Sequence, residues 1–131
     1  MRLRTRALPP LLALLLAGCG SGPSEDASRR VVDRFQDEVA AGDAAAACAQ
    51  LTEHLRTTLE QDEDKPCPEA LSGLGLEGGG RASRSRVYIN SALVDVSGGE
   101  DAFLDETRDG WRISAAGCTR SGDRYDCLLE D

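Results

Sequence analysis

The sequence predicts an α+β domain in which helices cover one face of a curved antiparallel sheet. Two observations predict it. Between residues 28 and 77, apolar residues recur every three or four positions, as they do on one face of a helix. After the glycines at 78–80, apolar and polar residues alternate in short runs separated by turn residues, which is typical of strands. Helices that are followed by hairpin-connected strands pack on one face of the resulting sheet.

The helical half is expected to contain three helices. The first occupies 28–41 and ends at Gly42, and Asp43 caps a second helix that continues with a small bend near Thr52. Pro68 suits the first turn of a short third helix. The positions expected to face the core are Val31, Val32, Phe35, Val39, Ala44, Cys48, Leu51, Leu55, Leu59, Leu71 and Leu74.

The second half is expected to form a meander of five strands. Its first two loops are taken as two-residue loops at 90–91 and 98–99, a register that pairs Val94 with both Val87 and Phe103. The predicted strands cover 84–89, 92–97, 102–107, 111–117 and 124–130.

The third loop decides which side chains share the apolar face. A two-residue loop would align Glu106 with Ile113, whereas a three-residue loop that ends on a left-handed Gly110 aligns Phe103 with Ala115. The longer loop keeps the apolar face whole, because a shift by one residue turns every side chain to the other face. The predicted apolar face comprises Val87, Ile89, Val94, Val96, Phe103, Trp111, Ile113 and Ala115.

Four cysteines lie in the part of the chain that is expected to fold, and they allow three connectivities. Chain order favours a disulfide between Cys48 and Cys67 and another between Cys118 and Cys127. The second pair also fits local geometry, because a two-residue loop at 122–123 places its cysteines directly opposite each other. In a small domain each disulfide contributes about 3 kcal/mol in the chain-entropy model.

The pairing of Cys118 with Cys127 conflicts with the apolar pattern of the last strand. It turns Tyr125 and Leu129 to the outer face of the sheet. A bulge near 116–117 would return both side chains to the core, and the glycine there is the usual residue of such a bulge. We therefore expect a bulge at this position.

Residues 1–18 are typical of an export signal. Arg2, Arg4 and Arg6 precede an apolar run at 7–16, which is shorter than the about 20 residues that span a bilayer. The stretch Leu16-Ala17-Gly18-Cys19 resembles the lipobox of bacterial lipoprotein precursors. This resemblance implies cleavage before the cysteine and a diacylglycerol on its sulfur, which would anchor the protein to the membrane.

The predicted organisation is therefore an export signal at 1–18, a flexible tether at 19–27 that begins with the lipid-modified Cys19, and a single domain at 28–131. Three of the 15 basic residues and none of the 23 acidic residues precede the tether, so the remaining chain carries 12 basic against 23 acidic residues. This negative balance argues against nucleic acid as a partner.

Three segments carry a resemblance to a known family. They are "GDAAAACAQL" at 42–51, "GWRISAAGC" at 110–118 and "YDC" at 125–127. With the layout of the chain, they resemble small actinobacterial lipoproteins of unassigned function, whose domain is related to the NTF2-like, cystatin-type cone. The resemblance covers most of residues 28–131 and implies the cone fold. It implies no catalytic residue, because this fold hosts enzymes, transport factors and structural modules.

Asp105 is the candidate catalytic residue. In the predicted register it faces inward between Phe103 and Thr107, as the buried carboxylate of an isomerase or dehydratase would. An inward charge at a fraying strand end is the alternative explanation. His54, the single histidine of the chain, lies one step off the apolar face of its helix, which is typical of a half-exposed helix residue.

Two motif-like segments carry no site. "GLGLEG" at 73–78 matches a dinucleotide-binding pattern but follows a short helix instead of a strand, so we expect a loop. "EQDEDK" at 60–65 lacks the alternating ligands and the glycine of a calcium loop, and a solvated charge run is expected. The cysteines lack a C-x-x-C spacing for zinc, so neither a metal nor a cofactor is predicted.

Two functions are compatible with these patterns. The first is a non-enzymatic lipoprotein on the outer face of the cytoplasmic membrane, anchored through diacylglyceryl Cys19. Its domain would bind an envelope or membrane protein, or a small apolar ligand in the mouth of the cone. The second is an isomerase or dehydratase that uses Asp105. A pocket of several hundred cubic ångströms around Asp105 would favour ligand binding or catalysis, whereas a filled cone with an exposed apolar patch would favour a protein partner.

Overall fold

Helices precede strands in the computed structural model, which describes residues 22–131. The helices are α1 (Pro23–Ala40), α2 (Ala44–Ala49), α3 (Glu53–Glu63) and α4 (Cys67–Ser72). The strands are β1 (Ala82–Tyr88), β2 (Ser91–Val96), β3 (Asp101–Thr107), β4 (Gly110–Ser121) and β5 (Arg124–Glu130). The strands form one curved antiparallel sheet in the order β1-β2-β3-β4-β5, against which α1 packs. The predicted α+β class and meander are confirmed.

Helix α1 begins at Pro23 instead of residue 28, so the predicted flexible tether at 19–27 is wrong from that proline onward. Proline and acidic residues are both favoured in a first helical turn. Ser28, fully buried, then fixes this turn through its hydroxyl, which donates to the Glu25 carbonyl at 2.9 Å and lies 2.7 Å from the Ser85 hydroxyl. The predicted signal at 1–18 lies outside the described residues.

The predicted long second helix is instead two helices, because the backbone between them pairs with the sheet. Thr52 N–H donates to the Ile113 carbonyl at 2.9 Å, and Ile113 N–H donates to the Gln50 carbonyl at 2.8 Å. These two bonds make a parallel bridge between Leu51 and Ile113. Strand β5 pairs with β4 only as far as Ala115, so the interhelical segment covers the edge of β4 that β5 leaves.

The β1–β2 loop is Ile89–Asn90, one residue earlier than predicted. Val94 therefore lies opposite Ser85 instead of Val87. The hydrogen-bonded contact between Ser85 and the buried Ser28 of α1 favours this register. The prediction that Ile89 faces the core is wrong, because this side chain lies in the turn and is 97% exposed.

The register between β2 and β3 is also shifted, since Val94 pairs with Ala102 instead of Phe103. The loop that joins these strands is longer than predicted, and its two glycines have φ angles of 95° and 83°. The Asp101 carboxylate stabilises the loop by accepting a hydrogen bond from Val96 N–H at 3.0 Å. The shift turns β3 over, so that Ala102 is buried and Phe103 is only half-buried.

The β3–β4 loop has two residues, 108–109, where three were predicted. Leu104 therefore pairs with Ile113, and both side chains are completely buried. The pairing then shifts by one residue on β4, so that Phe103 lies opposite Ala115, as predicted.

The last hairpin follows the prediction most closely. Its loop occupies 122–123, and the register between β3 and β4 shifts at 116–117, where the glycine has a φ angle of 65°. Leu129 is buried, as expected. Tyr125 is not in the core: it is half-buried, and its ring meets that of Phe103 edge-on, with the centroids 5.1 Å apart.

Both predicted disulfides are present. Cys48 of α2 is bonded to Cys67 at the start of α4, with their Cα atoms 6.2 Å apart. Cys118 and Cys127 face each other across β4 and β5, with their Cα atoms 3.9 Å apart. One crosslink thus fixes the helical layer and the other fixes the last hairpin.

Candidate functional site

The space between the helices and the sheet is filled by side chains. The fully buried large side chains include Val32, Phe35, Leu55, Val94, Leu104 and Ile113. They come from α1, α3 and three strands, and they meet in one core cluster. The space between the helices and the inner face of the sheet is therefore packed core, and it holds no pocket around these side chains.

A small cavity with a mixed polar and apolar lining lies beside the core, between the end of α1, the start of α2, the end of α4 and the residues after it. Val39, Ala44, Leu71 and Leu76 line it, and its volume is about 200 Å³. Pockets that enclose small-molecule ligands usually have about 300–1,000 Å³. This cavity is below that range.

A larger groove of about 530 Å³ runs between the α2–α3 junction and the β3–β4 turn. It exists because the pairing of Leu51 with Ile113 draws the end of α2 onto the edge of β4. Its charged lining residues are Glu53, Arg56, Arg108, Asp109 and Arg112.

The charges of this groove are mixed, with three arginines and two carboxylates. Arg56, Arg108 and Asp109 are exposed, whereas Arg112 is half-buried and donates to the Trp111 carbonyl at 2.9 Å. The groove offers several charge-assisted hydrogen bonds to a polar segment, and no nucleophile with an adjacent base among its lining residues. Its chemistry suits binding more than catalysis.

Asp105 does not face the core. The one-residue shift of β3 places it on the outer face, where it is exposed and lies between Ser91 of β2 and Arg112 of β4. Its carboxylate accepts a hydrogen bond from the Ser91 hydroxyl at 2.9 Å. The prediction of an inward Asp105 is therefore wrong, and the enzyme hypothesis loses the buried carboxylate on which it depended.

His54 lies on the exposed side of α3 and is more exposed than the half-exposed residue that was predicted. Its Nε2 atom is 3.3 Å from a carboxylate oxygen of Asp131, and 75% of its side chain is exposed. This contact connects α3 to the end of the chain beyond β5. A further titratable residue, Glu38 of α1, lies beside Gln50 at the α2–α3 junction and was not among the predicted site residues.

Glu38 accepts a hydrogen bond from the Gln50 side-chain amide at 3.3 Å, while its second carboxylate oxygen is buried without a partner among the described residues. Burial raises the pKa of Glu38, and the Gln50 hydrogen bond and the charge of Arg34 oppose this effect. A carboxylate on the edge of the core therefore costs stability at neutral pH. The burial of Glu38 results from its tertiary contact with Gln50 at the α2–α3 junction, which the sequence pattern alone does not show.

Among residues 22–131, two of the three large apolar side chains that are exposed lie at one turn. Ile89 is 97% exposed and Tyr88 is 62% exposed, and both belong to the β1–β2 hairpin. A third exposed apolar residue, Leu128 of β5, is 51% exposed. The sequence reasoning placed Ile89 in the core, because hydrophobicity alone does not distinguish a strand end from a turn.

The predicted lipidation residue, Cys19, lies outside the described residues. The other four cysteines are used by the two disulfides, which leaves Cys19 as the odd cysteine of the chain. Among residues 22–131, no helix is long and apolar enough to cross a bilayer, and no cluster of histidine, cysteine and acidic side chains could hold a metal ion.

Comparisons with family models, with curated proteins and with solved structures find no match to this chain.

Proposed function

We propose that this protein is a lipid-anchored lipoprotein of the outer face of the cytoplasmic membrane, whose folded part is a small NTF2-like binding module without enzymatic activity. The observation that supports it most directly is the pairing of the other four cysteines, which leaves Cys19 alone behind Leu16-Ala17-Gly18. Disulfides persist in proteins exported to oxidising compartments. Cys19 would then carry the diacylglyceryl group.

The packed interior of the domain supports binding over catalysis. Leu104 and Ile113 fill the centre of the sheet face, and Asp105 points to solvent on the opposite face. The cavity of about 200 Å³ beside α4 is small for an enclosed ligand. The open groove beside the α2–α3 junction is the better candidate, and the partner is an envelope or membrane protein that offers a polar segment to Arg56, Arg108 and Arg112.

The lipid anchor is tested by feeding the producing bacterium an alkyne-labelled fatty acid. We expect the full chain to incorporate the label and Cys19→Ser to lose it entirely. Cys118→Ala combined with Cys127→Ala removes two cysteines from the folded part and is the matched control, which should keep the label. Label retained by Cys19→Ser, or lost in the control, would contradict lipidation at Cys19.

The binding surface is tested by photo-crosslinking in the native membrane. A photoreactive amino acid at Arg108, inside the groove, should give one discrete crosslinked protein band. The same amino acid at Asp123, in the β4–β5 turn, is the control and should give none. Equal patterns at both positions, or no band at either, would argue against the groove as the binding surface.

A further inference from the structure

The beginning of α1 and the end of β1 lie at the same end of the domain. Ser28 of α1 is hydrogen-bonded to Ser85, and Asp33, further along α1, accepts a hydrogen bond from Ala82 N–H at 2.8 Å. Residue numbers therefore rise along α1 while they fall along β1, so the two elements run antiparallel. The β1–β2 turn and the first residue of α1 project toward the same side.

This arrangement brings the proposed anchor close to the most exposed apolar side chains. Only Gly20, Ser21 and Gly22 separate Cys19 from the start of α1. Even fully extended, this stretch covers only about 14 Å, at roughly 3.5 Å per residue. A lipid on Cys19 would thus hold this end of the domain, which carries Tyr88 and Ile89 at the β1–β2 turn, near the bilayer.

The turn itself is unfavourable for the isolated domain. Ile89 has a φ angle of 58°, in the left-handed region that is strained for a β-branched residue. Its side chain is also 97% exposed, so its apolar surface contributes nothing to the core. Asparagine or glycine would form this turn at a lower cost. An isoleucine that costs stability in the fold gains free energy if its side chain is buried in another environment.

The charges around the turn favour an apolar contact over an electrostatic one. Arg86 beside the turn is paired with Asp95, and the neighbouring β3–β4 turn carries Arg108 next to Asp109. The chain from Cys19 onward carries 12 basic against 23 acidic residues. Attraction to anionic headgroups is therefore not the source of binding, whereas a tyrosine next to an isoleucine suits the boundary between headgroups and acyl chains.

We propose that Tyr88 and Ile89, at the β1–β2 turn, insert into the interfacial region of the bilayer and so fix the orientation of the anchored domain, with the β4–β5 turn directed away from the membrane. This inference rests on the proposed lipidation of Cys19. It adds a second, non-covalent contact to the anchor. The two contacts together define which faces of the domain remain available to partners.

The test compares exposure of these side chains with and without the anchor. The lipidated full chain is reconstituted in phosphatidylcholine vesicles, and Cys19→Ser recovered in the aqueous phase is mixed with the same vesicles. Hydroxyl-radical labelling of Tyr88 and Ile89, read by mass spectrometry, should be several-fold lower in the lipidated protein. Leu128 is the internal control, because it is 51% exposed and lies opposite Gly117, roughly 20 Å along β4 from the near end of the sheet.

Each outcome decides the proposal. Equal labelling of Tyr88 and Ile89 in a chain whose Cys19 carries lipid overturns the insertion and leaves the anchor intact. A similar decrease at Leu128 indicates general shielding and also overturns it. Protection that occurs in native membranes but not in protein-free vesicles identifies a protein as the occupant. A chain without lipid on Cys19 overturns both the anchor and the insertion.

A tryptophan probe provides a second readout that does not depend on labelling. In lipidated Ile89→Trp, vesicles of brominated phosphatidylcholine should quench the added fluorescence. Asp123→Trp at the opposite turn is the matched control and should not be quenched, and the native Trp111 is buried in both variants. Equal quenching of the two variants, or none in Ile89→Trp, would overturn the proposal.

Discussion

The turns at opposite ends of the sheet solve the same backbone problem with different residues. Both are two-residue hairpin loops whose first residue has a positive φ angle, 58° at Ile89 and 63° at Gly122. Glycine adopts this conformation without steric cost, whereas isoleucine does not. The residue at the β4–β5 turn thus suits the backbone conformation that the turn requires, whereas the residue at the β1–β2 turn does not. Places where a local rule is broken are where function is expected.

The largest expected effects concern the two disulfides, one of which, Cys118–Cys127, lies beside the favourable turn. Replacing Cys118 and Cys127 by alanine should lower the free energy of unfolding by about 2–3 kcal/mol, because the unfolded chain gains conformational freedom. The measurement is urea unfolding at pH 7, with Cys48→Ala and Cys67→Ala as the comparison. That second pair closes 19 residues against 9, so its loss should cost slightly more. No loss of stability in either variant would contradict a structural role of the disulfides.

The second prediction tests the favourable turn itself. Gly122→Ala should destabilise the protein by about 1 kcal/mol, because an L-residue is strained at positive φ. No atom lies within 4 Å of an added Cβ at this position, so the effect isolates the backbone from packing. Gly73→Ala is the control, because its φ angle is negative and ordinary. Equal effects of the two substitutions on thermal unfolding would contradict the assignment of strain.

The third prediction concerns the β1–β2 turn, where a substitution by glycine should stabilise the protein instead of destabilising it. Ile89→Gly should raise the free energy of unfolding by about 0.5 kcal/mol, since relief of left-handed strain exceeds the added freedom of the unfolded chain. Leu128→Gly, at an exposed strand position, should destabilise the protein and serves as the control. A loss of stability in Ile89→Gly would show that the isoleucine is retained for folding and would remove the contrast between the turns.

The smallest effect concerns a different unfavourable feature, Glu38. Burial raises the pKa of the Glu38 carboxyl above its ordinary value of 4.5. Its contribution to the free energy of unfolding is therefore most favourable at low pH, where the carboxyl is protonated, and is lost as the pH rises through the raised pKa. Glu38→Gln should therefore raise Tm slightly at pH 7 and leave it unchanged near pH 4. Glu63→Gln, exposed at the end of α3, is the control. An equal gain at both pH values would contradict the raised pKa.

The two ends of the sheet also differed in how well the sequence predicted them. The 122–123 loop contains glycine, so its length fixes the opposition of Cys118 and Cys127 without any distant contact. The β1–β2 register depends instead on the contact between Ser28 and Ser85, and local patterning does not reveal such a contact. Hydrophobicity then placed Ile89 on the wrong side of the strand end.

The candidate groove was unpredictable for a related reason. It forms because the helical pattern is interrupted at Leu51, where the backbone pairs with Ile113 more than 60 residues later in the chain. Thr52 gives a local signal, because its hydroxyl caps α3 by accepting from Leu55 N–H at 3.1 Å, but local patterning does not show that the break pairs with the exposed edge of β4. Similarly, Asp101 lengthens the β2–β3 loop by accepting from Val96 and thereby turns Asp105 outward.

The proposed function depends most on the chemistry at Cys19, and the mass of the N-terminal peptide of the exported protein tests that chemistry directly. We predict a peptide that begins at Cys19 and carries a diacylglyceryl group, in a chain whose other four cysteines give no free thiol before reduction. A peptide that begins elsewhere, or an unmodified Cys19, would contradict the proposed function.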